Sequence, residues 1–151
     1  MVCLGNICRS PLAEGILKDK VEKEGLNVLV DSAGTSGHHS GENPDPRMRA
    51  TAKKFGINID QLKARKFSVQ DFENFDLIYT MDSENYRNVL SLSRNETDKH
   101  KVMLILNELH PDENAPVPDP YFGGEQGFID VYHLLDKATD KIIEKIKKND
   151  R

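Results

Sequence analysis

A cysteine and an arginine six residues apart, Cys3 and Arg9, frame the stretch Val2-Cys3-Leu4-Gly5-Asn6-Ile7-Cys8-Arg9-Ser10-Pro11. Its residue types are suited to holding an anion. Pro11 favours the first turn of a helix, so the stretch ends at a helix N-terminus, where free backbone N–H groups and the helix dipole attract negative charge. Gly5 and Asn6 tolerate positive φ best and let the backbone curl around a ligand. Arg9 offers a planar fork matched to phosphate oxygens. Ser10 can donate a hydrogen bond to a neighbouring thiolate. Features that stabilise a bound anion also favour the ionised form of Cys3. A thiolate facing phosphate, with an arginine on the equatorial oxygens, is a phosphoryl-transfer nucleophile. The plainer alternative is a buried structural cysteine beside a surface cation.

Such a loop needs elements to position it, and short apolar runs alternate with helical patterns along the chain. Strands are expected at 1–4, 28–30, 77–80 and 102–106. A helix over 10–24, capped by Ser10 and stopped by Gly25, places Leu12, Ala13, Ile16, Leu17 and Val21 on one face. Asp45-Pro46 opens a second helix that ends at Gly56. Ser68 and Asp71 read as a capping box on a short helix. Asp82 caps a helix reaching about Leu92. The last helix starts near Gly127, with Phe128, Val131, Leu135, Ala138, Ile142 and Ile146 on one face. This alternation predicts an α/β fold: a three-layer sandwich with a four-stranded parallel sheet flanked by helices on both faces. Ligands bind such sheets beyond the C-terminal strand ends, which directs attention to loops 3–9, 31–43, 82–85 and 107–127.

The whole chain bounds the possibilities further. With 151 residues, a single domain over 1–151 is expected. Lys and Arg number 21 against 25 Asp and Glu, a net charge of -4, so neither nucleic-acid binding nor a polybasic membrane contact is expected. No apolar run approaches the ~20 residues that span a bilayer. The N-terminus lacks the basic and apolar regions of a signal peptide, so a cytoplasmic protein is expected. Its two cysteines, Cys3 and Cys8, are then thiols rather than a disulfide scaffold.

The stretch around Cys3 resembles the signature of the low-molecular-weight protein tyrosine phosphatase family. Asp31-Ser32-Ala33-Gly34-Thr35, Pro44-Asp45-Pro46-Arg47, Lys63-Ala64-Arg65, Met81-Asp82 and Asp119-Pro120-Tyr121 match further family segments, in order and over essentially the whole chain. The resemblance implies the phosphotyrosine protein phosphatase I-like fold. It implies hydrolysis of phosphotyrosine through a phosphocysteine on Cys3, without metal or cofactor and with inorganic phosphate as product. The implied phosphate-binding loop is Cys3, Leu4, Gly5, Asn6, Ile7, Cys8, Arg9 and Ser10. Asp119 becomes the general acid and base, although Asp-Pro alone is an ordinary turn signal. Tyr121 becomes a wall for the substrate ring, with Leu4, His38 and Phe122. Asn6 holds the loop in shape, Ser10 and Ser32 support it, Asp82 stands nearby, and Cys8 is a redox partner of Cys3. The implied partners are phosphotyrosine-containing proteins and a cognate tyrosine kinase, and the implied state is a monomer.

Four departures qualify the resemblance. Leu62 replaces a histidine that supports Asn6 and Ser32 in the family, so that network must be rebuilt or weaker. His38 stands where an aromatic residue is common. Phe122 replaces a frequent tyrosine. Only Met1 and Val2 precede Cys3, so a truncated first strand, begun at an internal methionine, is expected. His38-His39 lacks the partners of a metal site and reads as a solvated loop.

Three other functions compete with this one. An arsenate reductase of this fold relays a disulfide through further cysteines, which the chain lacks. A protein-arginine phosphatase of this family carries threonine where Ile7 stands, and Ile7 suits a phenyl ring better than a phosphoguanidinium. A non-catalytic phosphoprotein-binding module would have no need of Cys3 and Asp119.

Overall fold

Side chains alternate across a strand, so a sheet covered on both faces must feed two cores from neighbouring residues. The computed structural model describes residues 1–149 and shows this pattern. Four parallel strands, β1 (Val2–Cys3), β2 (Ala33–Gly34), β3 (Ile78–Thr80) and β4 (Val102–Leu104), lie in the order β2-β1-β3-β4. Val2, Ile78 and Val102 enter one core with Phe67, Phe72 and Val89. Their neighbours Cys3 and Tyr79 enter the other, with Leu12 and Ile16 of α1 (Arg9–Lys23) and Phe128 and Leu135 of α6 (Glu125–Asn149). Each such apolar side chain, fully buried, contributes about 1.5–3 kcal/mol. The remaining helices are α2 (Pro46–Lys54), α3 (Asp71–Asn74), α4 (Ser83–Leu90) and α5 (Glu96–His100).

The sheet has the expected four parallel strands between helical layers, and several boundaries differ. The second strand is Ala33–Gly34 rather than 28–30. Pairing defines a strand, and pairing with β1 begins only where Ala33 N–H donates to Met1 O at 2.9 Å. Residues 28–30 run up to that point with Leu29 exposed, Val30 buried and no ladder. β4 stops at Leu104 because Ile105–Glu108 turn into a 3₁₀ helix. Helix α6 begins at Glu125, one half-turn before Gly127. Helix α5 has no apolar stripe to betray it. It is held by its ends, where the Asn95 side chain accepts from Asp98 N–H at 2.8 Å and Asp98 accepts from Arg94 N–H at 2.9 Å. The Ser68–Asp71 pair forms half of a capping box: Asp71 accepts from Ser68 N–H at 2.9 Å but turns its carboxylate to Arg65.

The order β2-β1-β3-β4 makes β1 the strand from which chain connections depart in both directions. The stretch after β1 therefore opens into the crevice at the C-terminal strand ends. Gly34 brings β2 close to it: a Cβ there would lie 2.7 Å from Leu4 O and 3.1 Å from Asn6 N.

Candidate active site

The loop between β1 and α1 is held open by Asn6. Its φ of 57° lies in the left-handed region, which costs a non-glycine residue roughly 1–2 kcal/mol. The Asn6 side chain compensates by bonding in three directions. Nδ2 donates to Ser10 Oγ at 2.7 Å and to Ser32 Oγ at 2.9 Å, while Oδ1 accepts from Arg65 N–H at 3.0 Å. Asn6, Ser10 and Ser32 are all buried. Helix α1 starts at Arg9, one residue before the expected Ser10, and Cys8 occupies its cap position without a side-chain cap bond. Ser10 is thus no cap. It sits in the first turn with Oγ 3.0 Å from Cys3 Sγ. Since Asn6 already donates to Ser10 Oγ, the Ser10 hydroxyl proton is available to the sulfur.

Ser32 Oγ donates in turn to Glu14 Oε1 at 2.6 Å. Leu62 packs against the apolar core, so the network that a histidine would complete ends on Glu14 instead. Glu14 lies on the inward face of α1, one turn after Ser10, and is 2% exposed. Sequence reading missed it. Its signal was a carboxylate at helical spacing among Ser10, Leu17 and Val21.

Arg9 is held by two acceptors of the protein. Its NH1 donates to Asp82 Oδ2 and to Val117 O, both at 2.9 Å. The NH2 side of the fork lies 3.8 Å from Asp119 Oδ2 and is left for an anion. Asp82 is itself held, because its Oδ1 caps α4 by accepting from Asn85 N–H at 2.8 Å. Asp119 comes from the irregular segment after the 3₁₀ helix. Its Oδ1 accepts from Tyr121 N–H at 3.0 Å, and its side chain is 41% exposed.

These groups meet at one cavity of about 180 Å³, lined by Cys3, Leu4, Gly5, Ile7, Cys8, Arg9, His39, Asp119, Tyr121 and Phe122. Leu4, Tyr121 and Phe122 expose apolar surface at its rim. Asn6, Ser10, Ser32 and Asp82 stand behind the lining. His38 is outside it, and His39 takes the place expected for His38. The His39 ring lies against Gly5, where a Cβ would come within 3.0 Å of its Cδ2, and Nδ1 pairs with Glu42 at 2.7 Å. A larger cavity of about 320 Å³ lies at the N-terminal strand ends, lined by residues such as Val28, Val30 and Leu77, and contains neither cysteine. Among the described residues no group of three or more His, Cys, Asp or Glu side chains gathers to hold a metal.

The two cysteines differ in character. Burial pushes the Cys8 thiol far up, and the negative charges of Asp45 and Cys3 add to this, so Cys8 remains protonated. Cys3 has a hydroxyl donor at its sulfur and Cys8 has none in the network described above. A strut unforeseen in the sequence joins the two loops. Asp45 N–H donates to Ile7 O at 2.8 Å, and the Asp45 carboxylate grips Arg47. Arg47 NH2 donates to Tyr121 O at 2.8 Å, and the guanidinium lies 4.8 Å above the Phe128 ring. Burial would raise the Asp45 carboxyl, but the bonds from Arg47 hold it below the usual carboxylate range.

A buried arginine fork, a cysteine with a donor at its sulfur, and a carboxylate overhanging both can hold a phosphate and move a proton. Comparison with known proteins agrees in kind. A family model described as low molecular weight phosphotyrosine protein phosphatase matches residues 1–151. A putative low molecular weight protein-tyrosine-phosphatase of Synechocystis is 44% identical over 149 residues, 97% of this chain and 94% of that protein. A low molecular weight phosphotyrosine protein phosphatase of Schizosaccharomyces pombe is 44% identical over 148 residues, 96% of this chain and 94% of that protein. The crystal structure of an Entamoeba histolytica protein tyrosine phosphatase with Hepes in its active site superposes with a TM-score of 0.92. It has 38% identity and covers 99% of this chain and 96% of that one.

Proposed function

The chain belongs to the low molecular weight protein-tyrosine-phosphatase family and is an enzyme of that class, and on that footing we propose how its own residues hydrolyse phosphotyrosine. The Cys3 thiolate attacks phosphorus while the bond from phosphorus to the phenolic oxygen breaks. Asp119 gives its proton to that oxygen, and tyrosine leaves. Arg9 and the loop N–H groups hold the phosphoryl oxygens throughout. Asp119, now a base, takes a proton from water as the water oxygen attacks phosphorus. The bond to sulfur breaks, inorganic phosphate departs and the thiolate is restored. The observation that carries this reading is that Cys3 and Arg9 of one loop line the same cavity as Asp119, from a distant part of the sequence.

Tyr121, Phe122 and Leu4 would flank the substrate ring, with His39 rather than His38 on the remaining side. Ile7 lines the floor at 9% exposure, and its branched hydrocarbon suits a phenyl ring over the planar, charged phosphoguanidinium. Phosphotyrosine-containing proteins are therefore the substrates in this reading. A cognate tyrosine kinase, a monomeric state and a cytoplasmic location belong to the same proposal. Among the described residues no helix is long and apolar enough to cross a membrane. Cys8 is read as the redox partner of Cys3, since a protonated thiol in the same loop can close a disulfide once Cys3 is oxidised. Recovery of peroxide-inactivated enzyme by a thiol reductant, lost in Cys8→Ser, checks that role.

The test of substrate class is phosphate release from a phosphotyrosine peptide and a phosphoarginine peptide side by side, with chelator present and Cys3→Ser as control. Release from phosphotyrosine alone, absent in Cys3→Ser, is expected. Preference for phosphoarginine would overturn the inference from Ile7. Turnover surviving in Cys3→Ser would overturn the mechanism.

A further inference from the structure

A carboxylate in the middle of a buried helix face calls for an explanation, because an ionised group is costly to take out of water. The Glu14 carboxylate is 3% exposed and has two partners: Lys18 Nζ on the next turn of α1, and the hydroxyl of Ser32. From Ser32 the hydrogen bonds run through Asn6 and Ser10 to Cys3. We propose that Glu14 is a positioning residue for the catalytic loop: by accepting the Ser32 hydroxyl proton it sets the direction of every hydrogen bond between Ser32 and the sulfur of Cys3. The proposal rests on the reading of Cys3 as nucleophile.

Donor counting gives the mechanism. A carboxylate can only accept, so Ser32 must donate to it. The Ser32 oxygen then accepts one Nδ2 proton of Asn6, which fixes the amide with Nδ2 toward the two serines and Oδ1 toward Arg65 N–H. The second Nδ2 proton goes to Ser10 Oγ, leaving the Ser10 proton for sulfur. The other acceptor near it among the described residues, Ala33 O, lies at 3.4 Å. With a donor in place of the Glu14 carboxylate, the Ser32 oxygen would face two donors and its proton would lose its acceptor, which would weaken the bond from Asn6, loosen the left-handed residue of the loop and make the Ser10 donor optional. The charges around this line are Lys18 on α1, the Met1 amino group, and the Asp31–Arg65 pair beyond Ser32.

Glu14→Gln tests this role. Glutamine keeps the shape but offers one carbonyl acceptor where Lys18 and Ser32 each need one. The Lys18 ammonium is the stronger claimant, and the amide NH2 introduced by the substitution would then face Ser32 and leave its proton without an acceptor. Removing the competitor should free the carbonyl for Ser32. Lys18 is 48% exposed on its side chain, so Lys18→Met is tolerable there.

The experiment compares wild type, Glu14→Gln and Glu14→Gln/Lys18→Met. It reads kcat and KM on p-nitrophenyl phosphate and the alkylation of Cys3 by iodoacetamide against pH. Glu14→Gln should lower kcat about tenfold, the equivalent of one misdirected hydrogen bond to a charged group. KM should change far less, and the alkylation curve should move to higher pH. Adding Lys18→Met should restore most of both. A Glu14→Gln enzyme that is merely less heat-stable, with normal kcat and alkylation, would overturn the proposal, as would a loss that Lys18→Met does not relieve. If Glu14→Gln does not fold, Ser32→Ala cuts the same line at the next link. Folded Ser32→Ala with wild-type alkylation would equally overturn it. Alkylation does not depend on turnover, so activity surviving in Cys3→Ser would sink the functional reading while leaving the role of Glu14 to be decided by the labelling.

Discussion

Asp119→Ala is expected to slow the release of a phenol-like leaving group by about 10²–10⁴-fold, the usual contribution of a positioned general acid. An aryl phosphate whose leaving group needs no proton should be slowed far less at the same step. The asymmetry follows from geometry. The Asp119 carboxylate accepts from Tyr121 N–H and overhangs the cavity 3.8 Å from Arg9 NH2, and among the described residues no hydrogen bond joins it to Cys3, Asn6 or Ser10. Its removal deletes a proton donor and leaves the phosphate site in place. A series of aryl phosphates with graded leaving groups reads the difference, and equal losses across the series would remove Asp119 from the role.

The second large effect is expected at Arg9. Arg9→Lys should lower kcat/KM by about 10³-fold, because a lysine keeps the charge and loses the fork. Arg9 is 3% exposed and spends NH1 on Asp82 and Val117 O, so that its other side faces the cavity. One ammonium cannot serve the protein on one side and two phosphoryl oxygens on the other. It also leaves a buried acceptor short of a donor, which costs about 1–3 kcal/mol of stability. Inorganic phosphate separates the two consequences. Wild type should gain thermal stability on adding phosphate, as any ligand of the native state confers. Arg9→Lys should melt lower and gain little. A phosphate-dependent rise equal to that of wild type would show that Arg9 is not the anion ligand.

The layered architecture was legible because it depends on patterns longer than one turn. The apolar stripes of α1 and α6 and the alternation of elements each carry ten or more residues of signal. What was illegible depends on pairing or on single polar contacts. Strand β2 is two residues long and exists because Met1 and Cys3 lie beside it, so no local pattern favoured Ala33–Gly34 over 28–30. Helix α5 is five residues held by Asn95 and Asp98, with no apolar face. The loop was readable from Cys3, Gly5, Asn6 and Arg9, since their chemistry is local. Ser10 was readable by type both as a cap and as a donor to a neighbouring thiolate, and its place inside the first turn, 3.0 Å from Cys3 Sγ, fits only the second. Adjacent residues such as His38 and His39 point in different directions, and only the backbone path decides which one lies against Gly5. Glu14 and Arg47 bond across 18 and 74 residues of sequence; the helical spacing of Glu14 with Ser10, Leu17 and Val21 marks it as inward-facing, but nothing local names the partner of either.

The central claim is a covalent phosphoryl group on Cys3. It is tested most directly by mixing enzyme with a phosphotyrosine peptide, quenching within the first turnover, and mapping phosphate by mass spectrometry under conditions that preserve phosphorus–sulfur bonds. The account predicts the mass of one phosphoryl group on the peptide that contains Cys3 and Cys8, with fragmentation assigning it to Cys3. Phosphate on any other residue, or turnover with no phosphoenzyme when the second step is slowed, would contradict it.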